Sequence, residues 1–366
     1  MRRIAAPAFV RRNAARHTGP GRIAATGIAV ALVFGLAACG DDDDEKNSSA
    51  GPSVPGAPVA GSPGTGGAAA PTYPITITHK LGTTTIKQAP KRIVALGEGD
   101  QDAALALATK LAGMVETTPP DGVAPWAKAK LGGDKPQIIT MGENGAPLEK
   151  VLALKPDLIL ANTDYWVEQE YDKLSKIAPT TAFETGPSQD SWQQVTRQVG
   201  KALGKSTEAE KLVADLEAKV GGVAKQYPAI AGKSFALTNA QNAGTVAVLK
   251  DRSDTSVKLL AGFGMTFPDT LANLPGAGFA AELSMERLDV LEVGVLLGNY
   301  NGDDALKKAI EGNPQFAKLN VVKRGSYVPL DSNDFWALRA PTPLAVEYVI
   351  DKIMPRVDVA AKAAKG

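Results

Sequence analysis

The stretch LEKVLALKPDLILAN, Leu148–Asn162, carries a helix, a corner and a strand in one run. Val151, Leu152 and Leu154 fall at helical spacing, so they are expected to pack on one face. Pro156 ends the helix, because it has no N–H for the ladder and drives Lys155 out of the helical region. Leu158, Ile159 and Leu160 then make an unbroken apolar run, the pattern of a strand covered on both faces. One residue is left over. Glu149 puts a charge at the start of an otherwise structural corner; as a first-turn acid it complements the helix dipole, a contribution of about 0.3 to 1 kcal/mol that needs no further role.

Working outward, strand-length apolar runs alternate with helical patterns in both directions, the signature of α/β layers. Before the corner come an extended ITITHKLGTTTIKQAP, the strand RIVALG (Arg92–Gly97), the helix DQDAALALATKLAG, and then MVETT, PWAKAKLG and QIITMG. YDKLSKIA and TTAFET follow it, and a helix from Asp190 to Leu203 closes this part before Gly204. Thr207 and Glu210 stand at capping-box spacing for a second helix, TEAEKLVADLEAKVGGVAKQY. Some 20 residues at 1.5 Å each reach about 30 Å, enough to cross between lobes, with Gly221-Gly222 as the place for a bend.

Alternation then resumes with KSFALTNAQ, GTVAVLK, SVKLLAGFG, SMERLDVLE, VGVLLGNY, DALKKAIEG, SYVPLDS and a final helix PLAVEYVIDKIMPRV. The corner recurs more loosely in SMERLDVLEVGVLLGNY, Ser284–Tyr300. The sequence thus divides into an α/β lobe over residues 73–205, a connecting helix over 206–228 and a second α/β lobe over 229–366. Two such lobes on one helix leave a cleft between them.

The N-terminus has Arg2, Arg3, Arg11, Arg12, Arg16 and Arg22, no acid before Asp41, and an apolar run IAATGIAVALVFGLAAC, Ile23–Cys39. That is the pattern of an export signal over residues 1–38. A spanning helix is the alternative, since about 20 apolar residues cross a bilayer; Thr26, Gly27 and Gly35 interrupt the run, and polar residues follow it at once. Residues 39–72 are an acidic cluster followed by Gly, Pro, Ser and Ala, expected as a disordered tether with an r.m.s. reach on the order of 30 Å. Without residues 1–38 the chain holds 34 basic against 39 acidic residues, a net charge of −5, which argues against a nucleic-acid ligand. Cys39 is the only cysteine, so no disulfide or second thiol is available. The two histidines are His17, inside the signal, and His79. That excludes a zinc or manganese site built on several imidazoles and any Ser-His-Asp or Cys-His catalytic set.

Leu36-Ala37-Ala38-Cys39 resembles the lipobox of bacterial lipoproteins, which implies lipidation of Cys39. PKRIVALGEGDQDAALAL from Pro90, LEKVLALKPDLIL from Leu148, YDKLSKIAPT from Tyr171 and the connecting helix resemble the solute-binding lipoproteins of bacterial ABC importers for iron-siderophores, haem and cobalamin. The opening ITITHKLGTTTIKQAPKRIV is similar to actinobacterial iron-siderophore binders. This resemblance implies two Rossmann-like lobes joined by one long helix with the ligand cleft between them, the class III periplasmic-binding-protein fold. It also implies a monomer on the outer face of the cell membrane that delivers a ferric siderophore to permease subunits without enzymatic chemistry or a resident cofactor. Haem or cobalamin is the alternative ligand; an envelope sensor or scaffold lipoprotein is the alternative class.

In open α/β sheets the ligand sits beyond the carboxyl ends of the strands. Glu98 and Gln101 follow RIVALG and are cleft candidates; Asp100 beside them reads as a helix N-cap. Trp126, Trp166 and Trp336 sit in or beside loops after strands, whereas Trp192 lies in a helix. Tyr165 with Trp166, and Phe335 with Trp336, are the aromatic pairs suited to an amphipathic chelate, with Tyr300 next. The alternative is that these rings cap the cores. Arg252 and Arg339 fall in loops of the second lobe; if both face inward the ligand is anionic, and otherwise they are solvated surface charges. Tyr165, Tyr300 and Met141 are the residues placed to serve as axial haem ligands. Glu149, with Glu286 in the second lobe, matches the acids that relatives use to meet permease arginines, although Glu282 and Arg287 leave the second register open.

Overall fold

The computed structural model describes residues 71–117 and 122–364. The expected signal, Cys39 and nearly all of the tether lie outside the described residues. The extended opening segment is a hairpin of β1 (Ile75–His79) and β2 (Gly82–Ile86). The first sheet holds β3 (Ile93–Ala95), β4 (Gly113–Val115), β5 (Gln137–Ile139), β6 (Leu158–Leu160) and β7 (Thr180–Thr181), all parallel, in the order β5-β4-β3-β6-β7. β3 and β6 form its centre and every residue in them is buried, as their unbroken apolar runs require. The second sheet holds β8 (Phe235–Asn242), β9 (Thr245–Leu249), β10 (Ala280–Ser284), β11 (Val295–Asn299) and β12 (Tyr327–Leu330), in the order β10-β9-β8-β11-β12. Here β8, β11 and β12 are parallel, while β9 runs against both its neighbours.

The helices of the first part are α1 (Glu98–Ala106), α2 (Pro125–Leu131), α3 (Leu148–Ala153), α4 (Val167–Ile177) and α5 (Trp192–Ala202). α6 (Ser206–Gln226) joins the two sheets and passes through Gly221-Gly222 without a break. Its start lacks the expected capping box: the N-cap is Lys205, with no side-chain bond. The box stands instead at α5, where Ser191 and Gln194 cap each other. Glu210 ties α6 to α5, with Arg197 Nε 2.9 Å from Oε2. Gly204 between these helices has φ +70°, and a Cβ there would lie 2.6 Å from Tyr73 Oη.

The remaining helices are α7 (Thr255–Gly262), α8 (Asp269–Ala272), α9 (Asp304–Glu311), α10 (Pro314–Lys318), α11 (Asn320–Lys323), α12 (Ser332–Arg339), α13 (Pro343–Tyr348) and α14 (Met354–Ala363). SMERLDVLE is a 3₁₀ segment, Met285–Leu291, kinked at Arg287, and not the α-helix its pattern suggests. A π-helical turn, Val349–Ile353, joins α13 to α14 just before Pro355. Proline lacks an N–H and clashes with the carbonyl four residues earlier; a widened turn accommodates both.

The opening corner is pinned from two sides. The Asp157 carboxylate accepts from the backbone N–H groups of Lys91 and Arg92 at 2.8 to 3.0 Å, just ahead of β3. The Arg92 guanidinium donates to Leu154 O at 2.7 and 2.9 Å. Val151 is buried and Leu154 packs against Gly113, but Leu152 is 57 % exposed, so α3 is narrower on its apolar side than the sequence suggests.

Candidate ligand cleft

At the carboxyl ends of β3 and β6 two loops clasp each other. Asp100 is not the N-cap of α1; Gly97 occupies that position without a side-chain bond. Asp100 is instead buried and accepts from Asn162 Nδ2 at 2.5 Å, Thr163 N at 2.9 Å and Thr163 Oγ1 at 3.0 Å. Gly99 N donates back to Thr163 Oγ1 at 3.1 Å. A Cβ on Gly97 would lie 2.1 Å from Thr163 Oγ1 and 2.4 Å from Asp100 Oδ2, so only glycine fits the clasp. Burial pushes the Asp100 carboxyl up to about 6 despite its three donors. Glu98, half-buried at the first position of α1, is pushed up to about 8 by burial and then by the charge of Asp102. Gln101 is buried with neither its amide nitrogen nor its oxygen hydrogen-bonded.

The β6 loop presents the aromatic pair read from the sequence. Tyr165 is 51 % exposed, and its ring meets that of Trp166 edge-on at 5.1 Å. Trp166 N donates to Asp164 Oδ1 at 2.9 Å. Behind them the buried carboxyls of Asp164 and Glu170 face each other. Burial raises both; the neighbouring Glu170 raises Asp164 further, while the hydrogen bond with Asp164 lowers Glu170. Glu170 also accepts from Ala146 N at 2.9 Å, and Gly145 lies so close that a Cβ would sit 2.2 Å from Glu170 Oε2. The loop leading into α3 and Glu149 is therefore fastened to the element that carries Trp166.

Trp126 is a correction. It lies in α2, preset by Pro125 at the first helical position, and it is buried. Its Nε1 donates to Asp102 Oδ2 at 2.8 Å, and the same oxygen accepts from Thr342 Oγ1 at 2.5 Å. Thr342 caps α13 by accepting from Ala345 N at 3.0 Å. The Trp126 ring stands 5.1 Å from that of Tyr348, whose hydroxyl donates to Asp334 Oδ1 at 3.1 Å; Arg356 closes the chain on Asp334 Oδ2 at 2.5 Å. This polar seam joins α1, the helix after β3, to α13, which follows β12 and α12. Burial pushes Asp102 up to about 7 against both donors. Sequence reasoning missed the seam; its one local signal was an acid amid the apolar run of DQDAALAL.

The second sheet corrects four more expectations. Tyr300 is buried, its hydroxyl 2.7 Å from that of Tyr327, which donates to Glu311 at 2.9 Å; burial pushes Tyr300 up to about 12. Phe335 is a core residue; Trp336, 42 % exposed on α12, meets it edge-on at 5.9 Å. Arg252 follows β9, whose direction is reversed, so the strand-end rule does not apply to it. Its guanidinium pairs with Asp269, donates to Phe267 O at 3.0 Å and lies over the Phe267 ring. Arg339 Nη1 is 2.7 Å from both carboxylate oxygens of Asp254 and 2.9 Å from Ser256 Oγ. Each guanidinium is paired with an aspartate of its own lobe, Arg252 with Asp269 and Arg339 with Asp254. Of the three residues considered for haem, Met141 packs on the core beside the first sheet and Tyr300 is buried; Tyr165 alone is exposed.

Glu149 and Glu286 are both exposed. A bond from the Ser284 side chain holds the Glu286 carboxyl below its ordinary range. His79, the last residue of β1, is buried 3.0 Å from Thr84 Oγ1, and Trp192 begins α5 as expected. Among the described residues no group of three His, Cys, Asp or Glu is placed to hold a metal ion, and no helix is long and apolar enough to cross a membrane.

Residues 99–333 match the periplasmic binding protein family. The ferric-anguibactin-binding protein FatB of Vibrio anguillarum is 27 % identical over 299 residues, 77 % of this chain and 87 % of that protein. Among solved structures, PiaA of Streptococcus pneumoniae in complex with ferrichrome is 28 % identical with TM-score 0.65, covering 80 % of this chain and all of that one. A periplasmic solute binding protein of Mycobacterium smegmatis is 26 % identical with TM-score 0.68, covering 78 % of this chain and 98 % of that one. With two α/β lobes joined by α6 around a ligand cleft, the chain belongs to the type III periplasmic binding proteins.

Proposed function

We propose that this protein captures a ferric siderophore between its lobes and hands it to an ABC importer, without altering it. The observation that carries the reading is the Tyr165–Trp166 pair after β6, with Tyr165 exposed and Trp166 half-buried against it, in a chain of this family, with Trp336 exposed on α12 of the other lobe. A siderophore wraps iron in a compact amphipathic shell, and flat side chains cover the apolar faces of such a shell at small entropic cost. The names of related proteins support the ligand class: one is a ferric-anguibactin binder and another was crystallised with ferrichrome.

Glu149 and Glu286 are the proposed permease contacts, one from each lobe, and Cys39 the lipid anchor that keeps the protein at the outer face of the membrane. A helical connection favours small lobe motions over wide closure. Tryptophan fluorescence titration against ferrichrome, ferrioxamine B, ferric citrate, haem and cobalamin tests the proposal. Saturable quenching by at least one ferric siderophore is expected, and none by haem or cobalamin at equal concentration. Absence of quenching by every iron chelate refutes it.

A further inference from the structure

The segments after the strands of the first sheet carry acids and no cations in the chain, although Lys201 lies near Glu184. Each of that sheet's five parallel strands is followed within four residues by an acid: Glu98 after β3, Glu116 after β4, Glu143 after β5, Asp164 after β6 and Glu184 after β7. No Lys, Arg or His occurs in the chain between any of these strands and the helix that follows it. The second sheet supplies no counter-charge at the matching ends, where Asn242, Asn301 and Asp331 close or follow β8, β11 and β12. Arg287, exposed, follows the edge strand β10 next to the exposed Glu286 in the chain. Arg252 and Arg339 are matched by Asp269 and Asp254. At the ends of β3 and β6 the Gln101 amide is buried with neither its nitrogen nor its oxygen hydrogen-bonded, and the buried Asp164 carboxyl faces Glu170.

Three hydroxamates lose one proton each and neutralise iron(III), which leaves the charge of the chelate to its pendant groups. Citrate-type chelates keep surplus carboxylates. Bringing negative charge toward a rim whose exposed acids are Glu116, Glu143 and Glu184 is opposed by Coulomb repulsion, and a cleft with low-dielectric walls concentrates that field. We infer that the cleft accepts ferric chelates of zero or positive net charge, with a protonated amine as the favoured pendant group, and discriminates against polycarboxylate chelates. The inference rests on the siderophore reading given above and narrows it.

Calorimetric titration of the purified chain with ferrioxamine B (cationic), ferrichrome (neutral) and ferric citrate (anionic) tests it. At least one hydroxamate chelate is expected to bind about tenfold tighter than ferric citrate at low salt, the gap narrowing when about 0.5 M NaCl shortens the screening length. The triple variant Glu116→Gln, Glu143→Gln, Glu184→Gln alters exposed acids only, so the fold is kept. It should narrow the low-salt gap about threefold or more by removing charge from the rim. Ferric citrate binding as tightly as both hydroxamates overturns the charge inference and leaves the siderophore reading standing. No binding by any of the three overturns both.

Discussion

Asp102→Asn is the most informative single change at the seam between the lobes. The carboxyl stands at about 7 in the folded chain against an ordinary 3.8, so the folded state holds its proton more tightly than the unfolded state does. A group raised in this way stabilises the fold below its unfolded value and loses that advantage as pH rises through the folded one. Between pH 5 and 8 the difference amounts to an upper bound of about 3 kcal/mol lost, at 1.36 kcal/mol for each pKa unit. Asparagine keeps an oxygen for Trp126 Nε1 and Thr342 Oγ1 and carries no charge. The variant should therefore unfold with a flatter dependence on pH, and should equal or exceed the parent in stability at pH 8. Urea titrations at pH 5, 6, 7 and 8, followed by tryptophan emission, read both curves. An identical pH slope in the two proteins, or an Asn variant markedly weaker at pH 8, would falsify the picture of a strained buried carboxylate at the seam.

Gly97→Ala should destabilise the chain by about 1 to 3 kcal/mol, because its Cβ would overlap Thr163 and Asp100 and push the β3 and β6 loops apart; an unchanged melting temperature argues against the clasp. Glu149→Arg combined with Glu286→Arg should abolish uptake by cells while ligand affinity in solution stays the same, and either normal uptake or weakened affinity contradicts the docking assignment. Trp336→Ala should weaken binding of the best ferric chelate about tenfold, or 1.4 kcal/mol. Arg339→Ala should instead lower stability by about 1 to 3 kcal/mol by stranding the buried Asp254 carboxylate, which a thermal melt separates from any loss of affinity.

Much of the first sheet was legible because its strands are buried on both faces. Runs such as LIL and IVA are visible without knowing their neighbours, and Pro156 marks the corner between α3 and β6. The acid of the corner, Asp157, has its partners at Lys91 and Arg92, more than sixty residues away, so its purpose was not visible locally. Asp102 and Thr342 are 240 residues apart, which put the seam beyond any periodicity argument. Arg252 was misplaced for a topological reason: the strand-end rule holds for parallel strands, and the reversal of β9 appears only in the pairing with β8. Tyr300 and Phe335 looked like cleft aromatics by position in the chain, but their side chains turn into the core of the second lobe.

The most direct test of the central claim is to locate the iron. Crystals grown with the tightest-binding ferric siderophore should show an anomalous iron peak between the two sheets, flanked by Tyr165 and Trp166 on one lobe and Trp336 on the other. A peak on an outer surface, away from the carboxyl ends of β3, β6 and β12, or crystals of the saturated protein with no iron between the lobes, would contradict it.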